Sequence, residues 1–317
     1  MNQIVVDPWR KMYMKKLISL GLIALISIVS LSAIYKIASA KEQYPSGGRV
    51  TIIYDAFGKP SDLERGWGYS ALVEYGGKKI LFDTGGQYAA FKANVDRLNI
   101  DLSKIDFVVL SHRHGDHTSG LAYVLEKNPN VVIYAPIETG SFGTPFSAPQ
   151  ALQRKVELLP NDLQYFDGKL GKGAVDSPWK NANITRITDT TEVAPGVFLI
   201  RTVSDVKGTL ELAEVSMAIK TPKGLAVIVG CSHPGIVKIL TKTSEISPNI
   251  YTIAGGLHLV DKSDDAVKQT VANFKDKWKL QRVAAGHCTG HFAQVEIAKV
   301  FADQQDHSGL GEVILLP

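Results

Sequence analysis

Three histidines and an aspartate fall within six residues of this chain: His112, His114, Asp116 and His117, in the segment Ser111-His-Arg-His-Gly-Asp-His117. Imidazole nitrogens and carboxylate oxygens are donors that divalent cations such as zinc accept, and they are also proton carriers near neutral pH. Alternate residues leaving a strand end project to one side, so His112 and His114 can approach one ion together. Asp116 and His117 begin the following turn, where a carboxylate and a third imidazole can complete a second ion or hold a bridging water. With 8 histidines in 317 residues, a chance polar loop is a poor explanation for three of them this close.

Such donors must be carried on rigid elements. Short β-type runs at Val50–Asp55, Ala71–Tyr75 and Lys79–Asp83, separated by turn residues, predict antiparallel pairing. Gln87–Leu98 has helical periodicity, Phe107–Leu110 is a continuous apolar strand, Ser119–Glu126 reads as helix and Val131–Tyr134 as strand. The stretch from Glu138 to Pro195 is rich in Gly, Pro, Ser and Asn, with a helix-like run only at Gln150–Leu159. It reads as an insertion or active-site lid in which Trp179 and Lys180 help shape the substrate pocket. A second strand-rich block follows at Val197–Thr202, Leu210–Lys220 and Leu225–Val229. Helices at Ile236–Thr243, Asp264–Trp278 and Ala293–Ala302 then alternate with strands at Ile250–Ile253 and Val283–Ala285. The two halves repeat one plan, which predicts an α/β fold: a four-layer α/β/β/α sandwich over residues 46–317.

The first 45 residues are different in kind. Basic residues up to Lys16 precede an apolar run from Leu17 to Tyr35, and Ala38-Ser-Ala40 then offers a signal-peptidase site. The reading is an export signal cleaved after Ala40, with an uncleaved membrane anchor over residues 17–35 as the alternative. Both readings put the rest of the chain outside the cytoplasm, periplasmic or secreted. A formal net charge of +4, part of it in Arg10, Lys11, Lys15 and Lys16, leaves no basic face for nucleic acid. A small-molecule substrate is the expected partner, with membrane contact confined to the N-terminal segment if it stays attached. The 2 cysteines, Cys231 and Cys288, each lie within two residues of a histidine, which favours a metal site over a disulfide.

The cluster resembles the His-x-His-x-Asp-His signature of the metallo-β-lactamase superfamily, and the likeness extends over nearly the whole chain after Gly47. Leu81-Phe-Asp83-Thr-Gly-Gly86 is similar to that superfamily's first motif, which implies that Asp83 orients metal ligands without binding the ion. Gly286-His287 resembles the final ligand histidine. In the middle the chain departs from the pattern, because no histidine lies between His117 and His233. Cys231, in Val229-Gly-Cys-Ser-His-Pro-Gly235, stands where most relatives carry a bridging aspartate. A thiolate there suits zinc, and His233 can point the same way from the strand end; the alternative for Cys231 is a small buried residue packed under the site. Gly230-Cys-Ser-His-Pro-Gly235, Gly255-Gly-Leu-His-Leu259 and Gly286-His-Cys-Thr-Gly290 resemble the subgroup that includes an archaeal dihydropterin-forming synthase. His258 belongs to that pattern, as a substrate-binding or proton-shuttling residue or as support for a ligand. Cys288 is expected to be structural, and His291 and His307, without motif context, to be on the solvated surface.

The resemblance implies metal-assisted hydrolysis of an ester, lactone, amide or phosphoester. One or two zinc ions, held by His112, His114, Asp116, His117, His233, His287 and Cys231, lower the pKa of bound water towards about 7. Asp116 and His258 are the candidate catalytic residues. Manganese and iron are compatible with most of these donors. Two other classes stay open: a non-hydrolytic metal-dependent synthase acting on a phosphorylated heterocycle, and an exported metal-binding protein without catalysis. Export argues against transfer of the pterin substrate itself, whose biosynthetic intermediates are cytosolic.

Overall fold

Apolar strands that alternate with amphipathic helices have to bury two sheet faces and several helix stripes at once, and the chain meets this demand with stacked layers. The computed structural model describes residues 45, 47–59, 61–137, 179 and 181–317. The segment 17–35, the site at Ala40, the helix-like run 150–159 and Lys180 lie outside the described residues, as does most of the expected lid. Among the described residues no helix is long and apolar enough to cross a membrane.

In chain order the strands are β1 (Gly48–Tyr54), β2 (Ser70–Tyr75), β3 (Lys78–Phe82), β4 (Phe107–Val109), β5 (Val132–Pro136), β6 (Ile184–Ile187), β7 (Thr191–Ala194), β8 (Val197–Val203), β9 (Ala213–Thr221), β10 (Gly224–Val229), β11 (Ile250–Gly256), β12 (Arg282–Gly286) and β13 (Val313–Leu316). The helices are α1 (Tyr88–Arg97), the single turn α2 (Gly115–Thr118), α3 (Leu121–Lys127), α4 (Ile236–Thr243), α5 (Asp264–Asp276) and α6 (His291–Phe301). The first sheet has the order β13-β1-β2-β3-β4-β5-β6 and the second β12-β11-β10-β9-β8-β7. In both sheets antiparallel pairing gives way to parallel pairing: from β3 to β6 in the first and from β10 to β12 in the second.

One apolar cluster lies between the sheets, with Val50, Tyr69, Ile80 and Phe82 of one facing Leu199, Met217, Ile219 and Ile228 of the other. The outer face of the first sheet packs on α1 and α3 through Leu81, Phe91, Val95 and Leu121. The outer face of the second packs on α4, α5 and α6 through Val227, Ile239, Phe274 and Ile297. The four-layer α/β/β/α arrangement is therefore present. On α4 the buried residues Ile236, Ile239, Leu240 and Thr243 form one helical stripe. Ser263 caps α5 by accepting from the Ala266 amide, and Asp264 and Asp265 sit in its first turn, where the helix dipole favours them.

The expected insertion needs correcting at its end. Residues 184–194 contain β6 and β7, which extend the first and second sheets. Their side chains are mostly exposed or half-buried, so these strands carry little of the apolar signal that marks the others. Trp179 packs against the cluster between the first sheet and its helices.

Candidate metal centre

The parallel strands of both sheets end at the same edge of the sandwich, and the donors follow those ends. Crevices at the carboxyl ends of parallel strands are where such folds bind ligands. Asp83 follows β3, Ser111 to His117 follow β4, Cys231 to His233 follow β10, His258 follows β11 and His287 follows β12. The amide of Val215 in the second sheet donates to the Ser111 carbonyl at 2.7 Å, tying the edges together. Gly230 permits the close approach: a Cβ there would lie 2.2 Å from the Ser111 Oγ and 2.9 Å from an Asp83 oxygen.

Seven donors gather into two groups. His112, His114 and His233 form one, and Asp116, His117, Cys231 and His287 form the other, with donor atoms in each group within 4.8 Å of one another. All are buried except His114, which is half-buried. In the four-membered group His117 Nε2 and His287 Nε2 are 3.2 Å apart, and the Cys231 Sγ lies 3.3 and 3.2 Å from them. Asp116 Oδ2 stands 3.4 Å from His117 Nε2 and 3.5 Å from His287 Nε2. Zinc bonds of ordinary length at tetrahedral angles put neighbouring donors about 3.3 to 3.6 Å apart, so this spacing suits one ion. In the other group His112 Nε2 and His114 Nδ1 are 3.0 Å apart. Both ring nitrogens of buried His233 and the Asp116 Oδ1 lack a hydrogen-bond partner among the described residues. Buried polar atoms in that state cost free energy that a cation would offset. The residues therefore fit metal ions in both groups.

Buried carboxylates set the direction of the donors. Asp83 Oδ1 accepts the Ser111 amide at 2.7 Å, and Oδ2 accepts from His117 Nδ1 and the Ser111 Oγ, each at 2.7 Å. With its proton committed to Asp83, the Ser111 hydroxyl accepts from His112 Nδ1 at 2.9 Å. In this tautomer assignment the Nε2 lone pairs of His112 and His117 are aimed into the site. Asp83 thus orients one candidate donor in each group, His117 directly and His112 through Ser111.

Glu214, at the start of β9, escaped the sequence reading. Its Oε1 accepts the amides of Cys231 at 3.0 Å and Ser232 at 2.7 Å, and its Oε2 accepts that of His233 at 2.8 Å. The available signal was an acid within the largely apolar run Leu212–Ile219. Asp55, also missed, accepts the His287 amide at 3.1 and 2.9 Å. The Trp67 ring lies beside that of His287, tilted by 43°, with ring centroids 4.5 Å apart.

The charge states suit cation binding. Burial pushes His112 and His233 well below the usual imidazole range and His114 and His287 to about 4, so these four rings are neutral donors at pH 7. Burial also acts to raise Asp116, but His117, His287 and His114 outweigh it and hold the carboxyl at about 2. Burial opposes a charge on His117 as well, yet Asp116 and Asp83 raise it well above its usual value, a proton that a cation would replace. Burial lifts Glu214 to about 7 against the three amides it accepts.

His258 is outside both groups. Its ring lies on that of His233 with centroids 4.3 Å apart, and its side chain is 18% exposed. Cys288 is buried under the site, and both cysteines are free thiols. Asp83, Ser232, His258 and His287 take positive φ angles of 57°, 65°, 47° and 45°, four of the eight non-glycine cases among the described residues. Backbone strain is thus concentrated where donors are aimed. Two surface expectations fail. His291 is buried because α6 is buried along most of its length, and His307 is half-buried, edge-on to Phe57 at 5.4 Å.

Comparison with known proteins bears on the family and the fold. The family model described as metallo-beta-lactamase superfamily matches residues 65–216. The chain is 29% identical over 291 residues to the 7,8-dihydropterin-6-methyl-4-(beta-D-ribofuranosyl)-aminobenzene-5'-phosphate synthase of Methanocaldococcus jannaschii, covering 82% of this chain and 93% of that one. Its fold is similar to that of Tm1679, described as a metal-dependent hydrolase of the beta-lactamase superfamily, with TM-score 0.63, 24% identity and coverage of 84% and 98%. The metallo-beta-lactamase fold protein YhfI of Bacillus subtilis gives TM-score 0.55 at 14% identity, with coverage of 86% and 100%.

Proposed function

We propose that this chain, a member of the metallo-beta-lactamase superfamily, is a metal-binding protein and a zinc-dependent enzyme of the synthase type, acting on a phosphate-bearing heterocycle. One observation carries metal dependence: seven donors from both sheets converge in two adjacent groups, with a cysteine sulfur in the second. The synthase class is supported by the archaeal relative, which matches most of both chains and carries a phosphate and a pterin in its name. The reaction class is transferred here, without the particular substrate. Hydrolysis, the first expectation from sequence, becomes the second reading.

When bound, zinc supplies Lewis acidity to an oxygen of the substrate or of water. His112, His114 and His233 would hold one ion, and Asp116, His117, Cys231 and His287 the other. Asp83 keeps two imidazoles in the tautomer that presents Nε2, and Glu214 holds the turn that supplies Cys231 and His233. Asp116 Oδ1, buried and without a partner among the described residues, is placed to accept a proton from a reacting group beside it. That atom is what favours hydrolysis as the second reading. His258, partly exposed next to His233, is the candidate for a proton transfer or a substrate contact. We further propose an extracytoplasmic location, supported by the basic, apolar and small-residue order of the first 40 residues; recovery of the protein in the cytosolic fraction would contradict it.

Turnover in water enriched in oxygen-18 separates the reactions. Zinc-loaded protein is offered phosphorylated heterocycles together with ester, lactone, amide and phosphodiester substrates. The expected result is turnover of the heterocycles with no solvent oxygen retained as the signature of bond hydrolysis. Preferential turnover of the other panel, with one solvent oxygen retained per bond cleaved, would overturn the synthase reading in favour of hydrolysis.

A further inference from the structure

Three phrases distinguish this chain from the common pattern of its superfamily, and each sends one side chain to the same further point. Cys231 of Gly-Cys-Ser-His, His258 of Gly-Gly-Leu-His and Cys288 of Gly-His-Cys-Thr have donor atoms within 4.8 Å of one another. We propose that Cys231, His258 and Cys288 form a third cation site, for a soft ion such as zinc or copper(I), sharing the Cys231 sulfur with the group of Asp116, His117 and His287. Neither reaction considered above is needed for this site.

The donor chemistry comes first. Two sulfurs and an imidazole are a set that zinc and copper(I) accept and that magnesium and calcium avoid. Burial is the second support. Cys231 is 2% exposed and Cys288 is fully buried, so ions reaching them have little water to keep. The third is an orphan: His258 Nδ1 is buried without a hydrogen-bond partner among the described residues. On the other side of the ring, Asp261 Oδ2 stands 3.9 Å from Nε2. Among side chains, Cys288 acts most strongly on the His258 ring.

The backbone is arranged to permit the cluster. Strand β11 runs between β10 and β12, so side chains following the outer two must meet across its end. That end is Gly255-Gly256, and a Cβ on Gly256 would lie 2.8 Å from the Cys288 Sγ and 2.4 Å from the Gly230 carbonyl. The glycine leaves the gap that the thiol occupies. His258 is held at φ 47°, a conformation that side chains with a Cβ adopt at a cost. Without an ion, the Cys288 Sγ donates to the Cys231 carbonyl at 3.3 Å. Binding would release the thiol proton to solvent and form a sulfur–metal bond, with no electron transferred.

The test is native mass spectrometry of the full-length chain, kept reduced and titrated with zinc. The expected count is three ions for the wild type and two for Cys288→Ser and for His258→Ala. A wild type that saturates at two ions overturns the third site whether or not the variants fold, as does a Cys288→Ser protein that still takes three. Cobalt(II) gives a second readout through its thiolate charge-transfer absorption. Three sulfur–cobalt bonds in the wild type become one in Cys288→Ser, so the band should fall to about one third; an unchanged band contradicts the site.

Discussion

Two buried carboxylates span the metal centre, and they do so by different means. Asp83 works through side chains, reaching His117 directly and His112 through the Ser111 hydroxyl. Glu214 works through the backbone, accepting three consecutive amides of the turn that carries Cys231 and His233. Each therefore bears on one ligand in each donor group, Asp83 on two that follow a strand of the first sheet and Glu214 on two that follow a strand of the second. Asp83 controls which nitrogen of a ring is bare, whereas Glu214 controls where a turn lies. A fault at the first should change ligand chemistry, and a fault at the second should change position.

The largest effect should come from removing a donor in either half. His112→Ala and His287→Ala should each lower turnover by about a thousandfold or more, as loss of several kcal/mol of metal-derived stabilisation implies. Steady-state assays with metal analysis check this. If one substitution spares both turnover and zinc content, the two halves are not jointly required.

Next come the carboxylates. Asp83→Asn should weaken zinc binding by about 10- to 100-fold, because loss of an orienting partner typically costs that much. Its effect should fall on both groups, read by competition with a chelator. Glu214→Gln should cost about tenfold, since one carbonyl oxygen remains to accept amides while the new NH2 group opposes another donor. If Glu214→Gln proves the more damaging, backbone placement outweighs tautomer control and the comparison is reversed.

Cys231→Asp addresses the thiolate itself. The variant should still bind two ions, while its preference shifts by about tenfold from zinc towards manganese, a harder ion suited to oxygen donors. Paired metal titrations measure the shift, and unchanged selectivity would mean that Cys231 contributes packing and not a bond. The smallest effect is expected from Asp55→Asn. The new side chain keeps an oxygen for the His287 and Phe57 amides, so turnover should stay within about tenfold of wild type. A larger loss would raise Asp55 to the rank of Asp83.

Legibility from sequence followed locality. His112, His114, Asp116 and His117 lie on one strand end and the turn after it, so spacing alone implied their convergence. Asp83 was readable through the glycines that follow it. Glu214 was not, because its partners are amides 17 to 19 residues away, and amides have no sequence signature. The split of donors between two groups also depended on the meeting of two sheets, which periodicity does not specify. Most of the fold followed from apolar runs such as Leu225–Val229, buried throughout. Strands β6 and β7 escaped because their alternation is weak and polar, and β13 because its alternating Val313–Leu316 run is only four residues long. His291 was misjudged for a related reason: burial of α6 is a property of its neighbours as much as of its own residues.

Anomalous-scattering crystallography at the zinc edge tests the central claim most directly, on protein purified without chelator and then supplied with zinc. Ions should appear among His112, His114 and His233, and among Asp116, His117, Cys231 and His287. Zinc absent from both groups after supply would contradict the account.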